Sequence, residues 1–203
     1  MKNRRKFVLN ADQLRKVTGH RLQGTVKRNE IYIILDNVLD TYNIGSIFRL
    51  ADAVAAKKIF LCGSSEIPPN HRIKKASINT TEVVPWEYCE TALEAVSRVK
   101  SLESRVKIIA IEQAAGSIPY DKFEYKLPTV LVVGHESDGV SQEVLEISDA
   151  IVELPMFGIN KSLNVMVSLG IVLYEIIEKN PDFNRESLYR LHSYGNIKAK
   201  LDI

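Results

Sequence analysis

Cysteine is scarce in this 203-residue chain: Cys62 and Cys89 are the only two. Their spacing matches neither a metal-ligand pair nor a redox motif, so they read as buried thiols of a reducing compartment. No apolar stretch reaches the length of a confident membrane span. The basic opening "MKNRRKFVLNADQ" lacks a following apolar segment and small-residue cleavage site, so no secretory signal is expected and the reading is cytoplasmic. No Gly-x-Gly pair occurs, which removes the dinucleotide fingerprint. Gly134 and Gly139 have the interval of a phosphate loop, but Val140 stands where that loop needs its Lys. No Gly-x-Ser-x-Gly elbow exists to make Ser162 a nucleophile. Repeats and low-complexity segments are absent.

What is present suits one α/β domain. Hydrophobic residues make up 45% and charged residues 26%, enough for a sizeable core. The net charge of +2 hides an asymmetry. Residues 1–28 hold nine of the 27 basic residues and only one of the 25 acids, Asp12, which leaves the remainder acidic. A basic arm on a mildly acidic body points to a polyanion partner, because neutralising phosphates releases counterions. A solvated terminal helix is the plainer alternative for the same run.

Apolar runs alternate with helical patterns. The predicted strands are 31–38, 58–63, a short one near "EVVPW", 106–112, 129–136 and 150–156. The predicted helices are 43–56, 88–104, 141–147 and a long one from near Ser162. The stretch "SSEIPPNHRIKKAS" reads as irregular, and Pro181 marks a break before a tail. Strands alternating with helices imply a mainly parallel sheet flanked by helices. The long helix is apolar in nearly every direction, which requires burial in a core or an interface.

In open α/β sheets, ligands gather outside the carboxyl ends of strands. Three such ends join glycine to polar residues. In "DTYNIGSIFRLADA", Asn43 is placed to cap a helix, Gly45 permits close approach, and Arg49 lies off the apolar face, available to a partner or a structural salt bridge. In "VVGHESDGVS", Glu136 is a candidate functional acid, with capping of the helix near Ser141 as the alternative. His135 beside it reads as surface or structural more readily than as a base. In "LPMFGINKSLNV", Pro155 and Gly158 turn the chain and deliver Ser162 and Asn164 to the apolar helix.

Taken together, "NIGSIFRLA", "GHESDGVS" and "LPMFG" with "SLNV" resemble the three ordered motifs of the TrmH-like RNA methyltransferases of the SPOUT superfamily, over residues 30–178. The resemblance implies a SPOUT domain over 30–178, between a basic N-terminal extension (1–29) and a C-terminal tail (179–203). It implies a deep trefoil knot at the C-terminal end of the α/β fold, a homodimer, no membrane, and S-adenosylmethionine as cofactor. The expected cofactor contacts are Gly134, Leu154, Met156 and Leu163, largely through backbone. The expected catalytic residues are Arg49, Asn43, Glu136, Ser162 and Asn164, acting on a ribose 2′-hydroxyl without a metal. Arg49 either activates that hydroxyl or forks onto a phosphate and stabilises the alkoxide. The short basic extensions favour transfer RNA over ribosomal RNA; a catalytically silent RNA-binding module of the same fold is the rival of another class.

Overall fold

The computed structural model describes residues 27–180 and, in the N-terminal stretch, Asp12. Most of the basic arm and the whole tail after Asn180 lie outside the described residues. The strands are β1 Asn29–Asp36, β2 Ala56–Cys62, β3 Trp86–Cys89, β4 Lys107–Ile111, β5 Ile118–Pro119, β6 Thr129–Gly134 and β7 Ala150–Glu153. The helices are α1 Thr41–Ala53, α2 His71–Ser77, α3 Ala92–Leu102, α4 Gln142–Ile147 and α5 Val165–Lys179. All seven strands run parallel in the order β3-β2-β1-β6-β4-β7-β5.

Alternation along the central strands sorts the core into two faces. Ile31, Ile33 and Leu35 of β1 pack with Ile44, Ile47 and Phe48 of α1 and with Leu169, Val172, Leu173 and Ile176 of α5. Tyr32 and Ile34 point the other way, onto Ala95, Val96 and Val99 of α3 and Val144 of α4. The sheet is therefore a middle layer between two layers of helices, as its near-continuous apolar strands require.

Helix starts follow from local side-chain acceptors. Asp40 accepts from the amides of Tyr42 (2.6 Å) and Asn43 (3.2 Å), so Asp40 caps α1 and frees Asn43 from that task. Asn70 caps α2 through Arg72 and Ile73, inside the segment expected to be irregular. The short strand expected near "EVVPW" is present but begins at its last residue, Trp86, after a 3-10 turn at Thr80–Glu82.

Gly45 fixes how α1 and α2 meet. A Cβ there would lie 2.6 Å from the Ala76 Cβ and 2.7 Å from the Ile73 carbonyl oxygen. Only glycine lets the two helices approach so closely.

Candidate active site

The chain lays down β1, β2 and β3 outward to one edge and then crosses to the other side for β6, β4 and β7. Ligand crevices form where such an order reverses. There, beyond the carboxyl ends of β6, β4 and β7, opens a cleft of about 490 Å³. Its lining includes Ile111, Glu112, Gly134, Glu136, Leu154, Ser162, Leu163 and Asn164.

Three of the expected residues meet at its mouth. Glu136 accepts from the amides of Leu39 and Asp40, both at 3.1 Å, and from Asn43 Nδ2 at 3.1 Å. Asn164 Nδ2 donates to Asn43 Oδ1 at 3.0 Å. Asn164 Oδ1 accepts from Met166 (3.0 Å) and Val167 (3.4 Å), capping α5. The direction of this chain is forced at both ends. An ionised carboxylate only accepts, so Asn43 must turn its NH2 to Glu136 and its oxygen to Asn164. The α5 amides only donate, so Asn164 must turn its oxygen to them and its NH2 to Asn43.

Burial by itself would raise the Glu136 pKa, but the amides of Leu39 and Asp40 and the Asn43 side chain outweigh it and hold the carboxyl below its ordinary value of 4.5. Glu136 therefore ties the β6 loop to the start of α1 and does not cap α4.

The loop 134–140 is pinned from both sides. His135 and Gly139 exchange backbone hydrogen bonds of 3.0 and 2.9 Å. His135 Nδ1 accepts from the amides of Ser137 and Asp138, both 3.1 Å, which is the structural role open to it in the sequence. Glu112 Oε2 accepts from the Val140 amide at 3.0 Å, and its Oε1 from Gln113 at 2.9 Å. Buried Asp36 receives the Ser141 amide at 2.8 Å and joins the end of β1 to the same loop. Sequence reasoning missed Glu112 and Asp36; an acid at the last or next residue of a buried strand was the available signal.

Of the four expected cofactor contacts, Gly134, Leu154 and Leu163 line the cleft, whereas Met156 is half-buried outside that lining. Ser162 lines it too, exposed and two residues before the helix cap. Arg49 is exposed and also outside the lining. At 3.6 residues per turn it sits about 240° around α1 from Asn43 and about 40° from Gly45, so it shares the α2 side of the helix. Among the described residues Arg49 has no ion pair, which removes the salt-bridge alternative there.

Known proteins resemble this chain in sequence and fold. The SpoU rRNA Methylase family profile matches residues 30–174. A tRNA (guanosine(18)-2′-O)-methyltransferase from Aquifex aeolicus is 33% identical over 153 residues, covering 73% of this chain and 69% of that one. The crystal structure of an A. aeolicus TrmH/SpoU tRNA modifying enzyme superposes with a TM-score of 0.67 at 25% identity, covering 89% of this chain and 93% of that chain. An AdoMet-bound rRNA methyltransferase from Sinorhizobium meliloti gives 0.68 at 30% identity, covering 81% of this chain and 59% of the longer neighbour. A profile match that runs from the second residue of β1 into α5 takes in all three loops of the cleft, and the chain belongs to the SpoU rRNA Methylase family.

Proposed function

We propose that this protein transfers a methyl group from S-adenosylmethionine to a ribose 2′-hydroxyl of RNA, with transfer RNA favoured over ribosomal RNA. The observation that carries the reading is the Asn43–Glu136–Asn164 chain at the mouth of the cleft. The cleft chemistry fits the cofactor. Ile111, Val133, Leu154 and Leu163 offer apolar walls for an adenine, and Glu112, Glu136 and Glu153 face a donor whose sulfonium is cationic. When bound, S-adenosylmethionine supplies an electrophilic methyl group.

The chain's own residues position the acceptor. Glu136, with its lone pairs already engaged by three donors, acts as an anchor and not as a proton acceptor. Asn43 and Asn164 hold their amides in one fixed orientation, ready to align the ribose. Ser162 serves as a ribose contact or loop anchor. Arg49 forks onto the neighbouring phosphate and stabilises the developing alkoxide, a task suited to a guanidinium that stays protonated.

We place Arg49 in the cleft of a second copy, and this makes the enzyme a homodimer. The support is the outer side of α5, where Val167 and Tyr174 are 37% and 55% exposed on a helix whose opposite side is core. Leu163 and the fully exposed Phe157 and Ile159 extend that apolar surface. The family resemblance supports a trefoil knot formed by the loops around the cleft, and a cytoplasmic location where both substrates occur. Among the described residues, no helix is long and apolar enough to cross a membrane.

The test is purified protein with radiolabelled S-adenosylmethionine and separated transfer and ribosomal RNA lacking the modification, digested to nucleosides. A labelled 2′-O-methylnucleoside from transfer RNA is expected. Label in ribosomal RNA alone overturns the substrate class. Cofactor binding without transfer to either RNA overturns the reaction and leaves an RNA-binding module.

A further inference from the structure

A cluster of exposed cations lies on helix α2, which packs against α1 at Gly45. Helix α2, "HRIKKAS", exposes Arg72, Lys74 and Lys75, with His71 at its start, while Ile73 and Ser77 are buried. No acidic residue occurs from Ile67 to Thr81. Elsewhere many bases are paired: Lys58 and Arg98 with Glu87, Lys107 with Asp149, Lys122 with Asp121, Lys126 with Glu124 and Lys179 with Glu175. Lys27, Lys57, Lys100, Arg105 and Lys161 are exposed without an ion pair among the described residues but are scattered singly along the chain. Among the described residues, none of Arg72, Lys74 and Lys75 has an ion pair. Unpaired, closely spaced cations repel one another and gain most from a polyanion.

Geometry joins this helix to Arg49. The close approach at Gly45 locks Ile73, Ala76 and Ser77 against α1, and Arg49 is one turn beyond Gly45 on that same side. Arg49 therefore stands on the side of α1 that faces α2, and the contact at Gly45 holds the two helices rigidly against each other.

We infer that Arg72, Lys74 and Lys75 of α2, continuous with Arg49, form a phosphate track that seats the backbone of the RNA substrate. The inference rests on the reading that the chain acts on RNA. The track reads phosphates and not bases, so it sets affinity and register while the cleft selects the ribose. Arg49 at its end is the one member close to chemistry; the three residues of α2 act only in docking.

The experiment compares wild type with the triple variant Arg72→Gln, Lys74→Gln, Lys75→Gln, using a pool of unmodified transfer RNA transcripts over a salt series. Glutamine keeps the helix propensity of these exposed positions. Removing three phosphate contacts should lower the slope of log K against log salt by about 2 and weaken binding by at least about 10-fold at physiological salt. KM for RNA should rise while kcat at saturating RNA and cofactor affinity stay at wild-type values. The charge-preserving variant Arg72→Lys, Lys74→Arg, Lys75→Arg should retain the slope. Lys122→Gln with Lys126→Gln, at paired sites, should leave it unchanged. An unchanged slope in the triple variant overturns the track, as does a weakened affinity that the charge-preserving variant shares. Methyl transfer absent from wild type, with the slope still lowered in the triple variant, would overturn the catalytic reading and keep the track.

Discussion

Gly134→Ala is the sharpest single test of the cleft. A Cβ at this position would sit 2.1 Å from the carbonyl carbon and oxygen of Gly139 and 2.2 Å from the Val140 amide nitrogen. Ordinary contact begins at 3.4 Å, so the facing backbone must retreat by about 1.3 Å in a close-packed region. That movement breaks the two His135–Gly139 backbone hydrogen bonds, at about 1 kcal/mol each, and adds an overpacking cost of about 1–3 kcal/mol. A total of about 3–5 kcal/mol in a chain of this size lowers Tm by about 6–20 °C. The displaced loop also carries Glu136, so cofactor affinity by calorimetry should fall at least about 10-fold, the equivalent of 1.4 kcal/mol. Gly158→Ala is the control, because a Cβ there meets nothing within 4 Å; it should stay within about 0.5 kcal/mol of wild type. A Gly134→Ala protein with wild-type Tm and cofactor affinity would refute the pinned-loop account.

Other consequences separate structure from chemistry. Asn164→Asp keeps an oxygen to cap α5 but sets an acceptor against the Asn43 oxygen, so Tm should fall by the equivalent of about 1–3 kcal/mol with the protein still folded, while methyl transfer falls at least about 100-fold; retained activity would remove Asn164 from the site. Arg49→Lys should abolish most transfer in a radiolabel assay with the fold intact, because an ammonium lacks the planar fork; wild-type kcat would sink the proposed role. Since the folded-state pKa of Glu136 lies below 4.5, its stabilising effect is complete above that pH and disappears as pH falls through the lower folded value. Thermal melts of wild type and Glu136→Gln should therefore converge on acidification below pH 4.5 and stay separated at neutral pH; a gap independent of pH would contradict the anchoring role.

The sequence was most legible where one periodicity dominated. The apolar runs at 31–38 and 129–136 became β1 and β6 to within two residues at each end, because central parallel strands are apolar on both faces. Helix α2 was not legible, since a seven-residue helix after two prolines offers barely two turns of pattern. Its existence depends on Asn70 as cap and on the space over Gly45, and only the second partner, α1, reveals that space. At the site, residue types identified Asn43, Glu136 and Asn164, but not their division of labour. Asn43 looked like a cap until Asp40 took that role, and the long helix expected from near Ser162 starts only after its cap, Asn164. A side-chain acceptor a few residues away competes equally well in a sequence, and only backbone geometry decides between them.

The position of β1 has a consequence for synthesis. It occupies the middle of the sheet, yet the partner on one side, β6, begins at Thr129, long after β1 ends at Asp36. At translation rates of 5–20 residues per second, roughly 5–20 seconds pass with one edge of β1 unpaired. During that interval a row of free backbone groups beside Ile31, Ile33 and Ile34 is an adhesive surface for any other nascent chain. The strand that carries the most buried apolar sequence is thus also the one that waits longest. Initiating fewer chains at once, or a chaperone covering that edge, should raise the yield of folded protein.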